Sequence, residues 1–182
     1  MKILGISGSL RKASYNTHLL EAAREAIGSA ATFATFDIGG IPHYHGDQDG
    51  EEKPPSVQKL KDDIASADGV VIATPEYNYS LPGVLKNAID WASRPAFKSV
   101  LKDKPIIVLS ASMSATGGAR AQVHLRDILA GVLAPVFAAP DFLVPTAQNK
   151  FDDDGKLTDT PTQEMLQKRM DSYLEWVRRL SS

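Results

Sequence analysis

Five short apolar runs, each separated from the next by a segment of helical period, constrain this chain more than any other feature. The runs are Ile3-Leu4-Gly5-Ile6, Ala31 to Phe36, Val70-Val71-Ile72-Ala73, Ile106-Ile107-Val108-Leu109, and a broken last piece made of Val136-Phe137 and Phe142-Leu143-Val144. Val70-Val71-Ile72-Ala73 is a short β-branched run without polar alternation, as a strand buried on both faces requires, and Ile106-Ile107-Val108-Leu109 reads as another buried strand. Between and after them, Leu19, Leu20, Ala23 and Ile27 recur at helical spacing, as do Val57, Leu60 and Ile64, then Leu85, Ala88, Ile89 and Trp91. Ala121, Leu125, Ile128, Leu129 and Val132 form a fourth face, and Leu166, Met170, Tyr173, Leu174 and Val177 a fifth. Alternating strands and helices predict a parallel sheet covered on both sides, joined by right-handed crossovers.

The fold class expected is therefore α/β: three layers, doubly wound, on a five-stranded parallel sheet. Five βα units match the flavodoxin-like strand order 2-1-3-4-5 better than a six-stranded dinucleotide fold. Ser14 or Asn16 is the expected cap of the first helix and Ser80 that of the third, with Pro82 in its first turn. Thr160-Pro161-Thr162-Gln163 reads as a capping box with proline at the first helical position. Residues 41–55 are polar and proline-broken, and Asp152-Asp153-Asp154-Gly155 reads as a solvated turn without the alternating spacing of a calcium loop.

A chain of 182 residues with 43% hydrophobic and 23% charged content fits one globular domain, 1–182. The net charge of −2 gives no reason to expect nucleic acid or an anionic membrane as partner. No apolar run approaches a membrane span, and a first strand starting at Lys2 leaves no room for a signal peptide, so a cytoplasmic place is expected. With no cysteine, disulfides, thiol catalysis and cysteine-held metal are excluded.

In such a sheet ligands bind beyond the carboxyl ends of the strands, where strands one and three diverge. Three loops of unusual composition leave those ends: Gly8–Asn16, Thr74–Ser80 and Ser110–Gly118. The first is small and hydroxylated and runs into a helix, so unpaired amides and the helix dipole favour an anion there. Ser9, Ser14 and Asn16 add donors and Arg11 a charge. Neither G-x-G-x-x-G nor the P-loop pattern is present, so a terminal monophosphate suits this loop better than a nucleoside triphosphate. In the second loop Tyr77, Tyr79 and Asn78 fit a planar ligand with a polar rim, and plain packing is the alternative for either tyrosine. Glu76 fits catalysis or an ion pair. The small residues of the third loop let backbone approach a flat ring.

Gly-Ser-Leu-Arg-Lys-x-Ser-x-Asn at 8–16, Pro-Glu-Tyr-Asn-Tyr-Ser-x-Pro-Gly at 75–83 with Leu85 to Trp91, and Gly117-Gly118-Ala119-Arg120 resemble the NADPH-dependent FMN reductase family, which includes quinone, chromate and azo-dye reductases. The resemblance implies bound FMN, NAD(P)H as donor, and dimers that often pair into tetramers. It also implies a cofactor-binding set: Ser9, Leu10, Arg11, Ser14, Tyr15 and Asn16 toward the phosphate, Pro75, Glu76, Tyr77, Asn78 and Tyr79 along the isoalloxazine, and Ser112 and Gly117 on its other rim. No residue is expected to act as a catalytic acid or nucleophile, since the cofactor carries the chemistry. Small-molecule acceptors are the expected partners: quinones, flavins, azo dyes, or metal oxyanions such as chromate. Trp91, Pro95 and Phe97 are the apolar surface expected to face a second subunit, with burial of Trp91 in its own core as the alternative. Val123 stands where a tyrosine common in tetramers would be.

Two rivals differ in class. A flavodoxin-like electron carrier shares fold and cofactor, but such carriers are strongly acidic. A metal-dependent hydrolase would use His43, His45, Asp47 and Asp49, yet no third histidine stands nearby, and solvated loop histidines fit better.

Overall fold

Every residue of β3 (Gly69–Ala73) and β4 (Ile106–Ala111) is buried, as strands covered on both faces must be. With β1 (Lys2–Ser7), β2 (Thr32–Phe36) and β5 (Phe142–Val144) they form one parallel sheet in the order β2-β1-β3-β4-β5, as expected. The structure, a computed structural model, describes residues 1–181; residue 182 of the expected domain lies outside them.

Alternation along the strands divides the interior in two. Ile3, Val71, Ile107, Leu109, Phe142 and Val144 pack against α1 (Tyr15–Ile27) and α5 (Thr160–Ser181). Leu4, Ile6, Val70, Ile72, Ile106 and Val108 face α2 (Pro55–Ser66), α3 (Gly83–Ala92) and α4 (Ala119–Gly131) on the other side. Gly5 is glycine because a Cβ there would stand 2.7 Å from the ring of Phe33.

Three helix starts depart from, or decide between, the sequence expectations. Ser14, not Asn16, caps α1: its Oγ accepts from the Asn16 amide at 3.3 Å. Ser80 does not cap α3. Its N–H and carbonyl exchange bonds with Tyr77 in a tight turn, and the helix begins at Gly83 after Pro82. The box at Thr160 is displaced by one residue. Thr160 is already helical, and the Asp159 carboxylate accepts from the Thr162 amide at 3.1 Å and from its hydroxyl. Gln163, expected to reach back to the cap, donates instead to Leu157 O. A carboxylate accepts more strongly than a hydroxyl, and its charge suits the helix start.

The last strand is interrupted as read: Val136 meets Ile106 in one isolated bridge, and β5 proper begins at Phe142. Asp152–Gly155 is a turn closed by Gly155 N–H to Asp152 O at 3.0 Å. The irregular 41–55 segment is held to α3. Asn87 accepts from the Tyr44 amide and donates to Pro42 O, which also takes the Trp91 indole N–H at 2.8 Å. Trp91 is thus fully buried beneath Tyr44 and offers no surface to a partner; Phe97 stays 69% exposed.

Candidate functional site

The carboxyl ends of β1, β3 and β4 open into one cleft of about 220 Å³. Ser9, Arg11, Ser14, Tyr15 and Asn16 line it from the first loop, Pro75, Glu76 and Tyr77 from the second, and Ala111, Ser112 and Met113 from the third. Leu10, Asn78, Tyr79 and Gly117 stand outside this lining. The reading missed Ala111 and Met113, since apolar side chains give no chemical signal and their place comes only from the β4 terminus.

The first loop is built to present its backbone. Ser7 Oγ accepts from the Ser9 amide and Ser9 Oγ from the Arg11 amide, both at 3.3 Å. Among the described residues, nothing accepts from the amides of Lys12, Ala13, Ser14 or Tyr15. Arg11 lies beside them, its guanidinium carbon 5.7 Å from the centre of the Tyr15 ring. Four unpaired amides at a helix start with a guanidinium alongside fit a phosphate monoester. Asn16 has another task. It is 2% exposed, and its side-chain amide brackets the Ala111 peptide, donating to its carbonyl and accepting its N–H, both at 2.9 Å. One Nδ2 hydrogen is left for anything else.

The second loop is a turn of a different kind. Asn78 and Tyr79 both have positive φ, 49° and 68°, between the paired Tyr77 and Ser80. This is the hairpin turn for which Asn-Gly is the usual signature, so a tyrosine in its second central place is strained. Neither tyrosine packs in the core: Tyr77 is 51% and Tyr79 63% exposed.

Contacts to α4 hold that turn. Glu76 Oε2 accepts from the Arg120 and Ala121 amides at 2.9 and 3.3 Å, and Oε1 lies 3.4 Å from Arg120 Nη1. Arg120 in turn covers the Tyr79 ring at 4.3 Å, and Ser80 Oγ meets His124 Nδ1 at 3.0 Å. Of the two roles open to Glu76, the ion pair within the chain is the one formed. Along the third loop a line of hydroxyls, Ser112–Ser114–Thr116, supports the backbone at 3.0 and 2.8 Å.

His43 and His45 lie away from the cleft, in the segment against α3; His45 accepts from the Asp47 amide. Among the described residues no three His, Asp or Glu side chains gather as metal donors, and no helix is long and apolar enough to cross a membrane.

Comparison with known proteins agrees with this arrangement. The family model for NADPH-dependent FMN reductase matches residues 1–149. The NAD(P)H-dependent FMN reductase of Pseudomonas aeruginosa is 43% identical over 180 residues, covering 99% of this chain and 97% of the relative. A 2-hydroxy-1,4-benzoquinone reductase of a Burkholderia species is 41% identical over 178 residues, covering 98% and 97%. Among solved structures, the flavoenzyme NAD(P)H:(acceptor) oxidoreductase FerB of Paracoccus denitrificans superposes with a TM-score of 0.90 at 35% identity, covering 98% of this chain and 97% of that one. The chain belongs to the NADPH-dependent FMN reductase family.

Proposed function

We propose that this protein is an FMN-dependent NAD(P)H oxidoreductase whose principal acceptors are quinones, with the cofactor seated in the cleft between the three loops. The observation that carries the seat is the set of unpaired amides from Lys12 to Tyr15 beside Arg11, at the carboxyl end of β1. When bound, FMN supplies a two-electron carrier between nicotinamide and acceptor.

The chain's own work is binding, orientation and exclusion of water. In this reading the loop amides, the Ser9 hydroxyl and Arg11 hold the phosphate. The Glu76–Tyr77 backbone and the Tyr77 ring form one wall for the isoalloxazine, and Ser112 with Met113 the other. Leu10, Asn78, Tyr79 and Gly117 support these walls. Walls fixed by Glu76, Asn16 and the hydroxyl line need no reorganisation as charge develops, which is the requirement for electrostatic catalysis. Glu76 stays occupied at the α4 terminus, so no catalytic acid is assigned.

Quinone reduction is favoured by the relative named for a benzoquinone; flavins, azo dyes and chromate are further acceptors of the same open cleft. The protein acts in the cytoplasm, where its nicotinamide donors are, and as a homodimer at least. Exposed Tyr77 and Met113 in the cleft, Tyr79 in the same loop and Val123 on α4 are the surface a second copy would cover.

Purification and denaturation test the reading together. The protein is expected to bind one FMN per chain and to oxidise NADPH or NADH steadily with a benzoquinone and no second protein. FAD as the only bound flavin, or turnover only with an added redox protein, would contradict it.

A further inference from the structure

Gln122 lies in the first turn of α4, fully buried, touching nothing in the cleft. Its Nε2 donates to Ser110 Oγ at 2.8 Å and to Phe142 O at 2.9 Å. Because Ser110 Oγ receives that hydrogen, its own hydrogen goes to Gly117 O at 2.6 Å. The result is a one-way chain, Gln122 N–H to Ser110 O–H to Gly117 carbonyl, in which each bond polarises the next. Gly118 must be glycine for it, since a Cβ there would stand 2.9 Å from Ser110 Oγ.

The other end of the same amide is out of keeping with a purely structural role. Gln122 Oε1 is buried without a hydrogen-bond partner. A buried, unsatisfied carbonyl costs stability that an apolar side chain of the same volume would not. With one end of the amide unpartnered, the two bonds that its other end donates are the reason for an amide at this position.

What those bonds hold is the meeting point of two cleft walls. The second loop hangs on α4 through Glu76, which takes the Arg120 and Ala121 amides. The third loop ends on α4 at Gly117 and Gly118. Gln122 ties this helix start by hydrogen bonds to both β4, through Ser110, and β5, through Phe142.

We infer that Gln122 is a positioning residue for the cofactor site: through Ser110 it fixes the Gly117 carbonyl inward and so sets the spacing of the two walls. This rests on the seat of FMN proposed above.

The test compares Gln122→Met, Gln122→Glu, Ser110→Ala and Ser110→Thr with wild type, using the flavin-free protein and its titration with FMN. Gln122→Met is expected to bind FMN about tenfold more weakly, a loss of about 1.4 kcal/mol, beyond any change in melting temperature. Amide hydrogen exchange across residues 113–118 should accelerate in its flavin-free form. Gln122→Glu replaces the donor by an acceptor and should lose as much affinity. Ser110→Ala should match Gln122→Met, the double variant should lose no more than either, and Ser110→Thr, which keeps the hydroxyl, should lose less affinity than Ser110→Ala.

Wild-type affinity and exchange in Gln122→Met, or additive losses in the double variant, would overturn the proposal. Should Gln122→Met fail to fold, Ser110→Ala and Ser110→Thr carry the same comparison. If wild type binds no FMN, the seat is wrong, and exchange in the flavin-free variants still decides the relay.

Discussion

Asn16 shows how one side chain in a ligand loop can serve the scaffold first. Its amide pairs with both polar groups of the Ala111 peptide at the end of β4, joining the first loop to the third. Ala111 is 2% exposed, so removing the amide leaves a buried N–H and a buried carbonyl unpaired. Each costs about 1–3 kcal/mol, and Asn16→Ala should therefore destabilise the flavin-free protein by roughly 2–6 kcal/mol, read by denaturant unfolding. A residue serving only the phosphate would leave flavin-free stability untouched. Arg11 is the opposite case. It is exposed and stacks on Tyr15, so Arg11→Ala should leave the melting temperature alone. Loss of a charged hydrogen bond worth about 1.5–3 kcal/mol should raise the FMN dissociation constant by one to two decades in fluorescence titration. Unchanged affinity would remove Arg11 from the phosphate. Sequence alone put both residues in one list, because residue type tells what a side chain can donate and not which buried peptide lies within reach.

Elements were legible where periodicity speaks and obscure where local chemistry competes. Five strands and five helices follow from apolar spacing, since burial on a given face is what spacing encodes. The turn at Asn78-Tyr79 was not legible, because its strained tyrosine breaks the Asn-Gly rule and is held by Arg120 on a distant helix, to which Glu76 of the same loop is bonded. The start of α5 was missed by one residue because Asp159 outbids Thr160 as acceptor. The seating of α5 shows an element fixed by one buried group. Tyr173, wholly buried, shares its one hydroxyl hydrogen between Val70 O at 3.1 Å and Pro105 O at 3.0 Å, joining the helix to β3 and the segment before β4. Pro105 O keeps the Val70 amide as a second partner, so Tyr173→Phe should cost only about 1 kcal/mol. Burial raises the Tyr173 phenol well above its ordinary value. The folded state thus holds this proton more tightly than the unfolded one. The stability it contributes is complete below the unfolded pKa of about 10 and is lost as pH rises beyond it. The wild-type advantage over Tyr173→Phe should shrink between about pH 9.5 and 11. A constant difference in urea unfolding across that range would refute this assignment.

At the scale of the molecule, two apolar cores separated by the sheet leave the carboxyl ends of β1, β3 and β4 as the one place where three loops converge. That much follows from strand order. What strand order does not give is which apolar groups remain outside after folding. Trp91 carries the apolar area the sequence offers to a partner, and the 41–55 segment covers it through Pro42 and Tyr44. Two uncovered large side chains, Met113 at 61% and Tyr77 at 51%, line the cleft; Tyr79 at 63% follows in the same loop, and Val123 at 52% lies on the exposed face of α4. Large apolar groups exposed at the rim of a site open to water, with another on the helix that holds its second loop, fit a surface that a second copy of the chain closes. Light scattering at micromolar concentration should then give at least twice the mass of one chain, and dilution should lower activity as the copies part. Val123→Arg should shift the balance toward monomer while leaving the fold intact by circular dichroism, because the side chain has room in the isolated chain. A fully active monomer at those concentrations would show that the cleft needs no second wall.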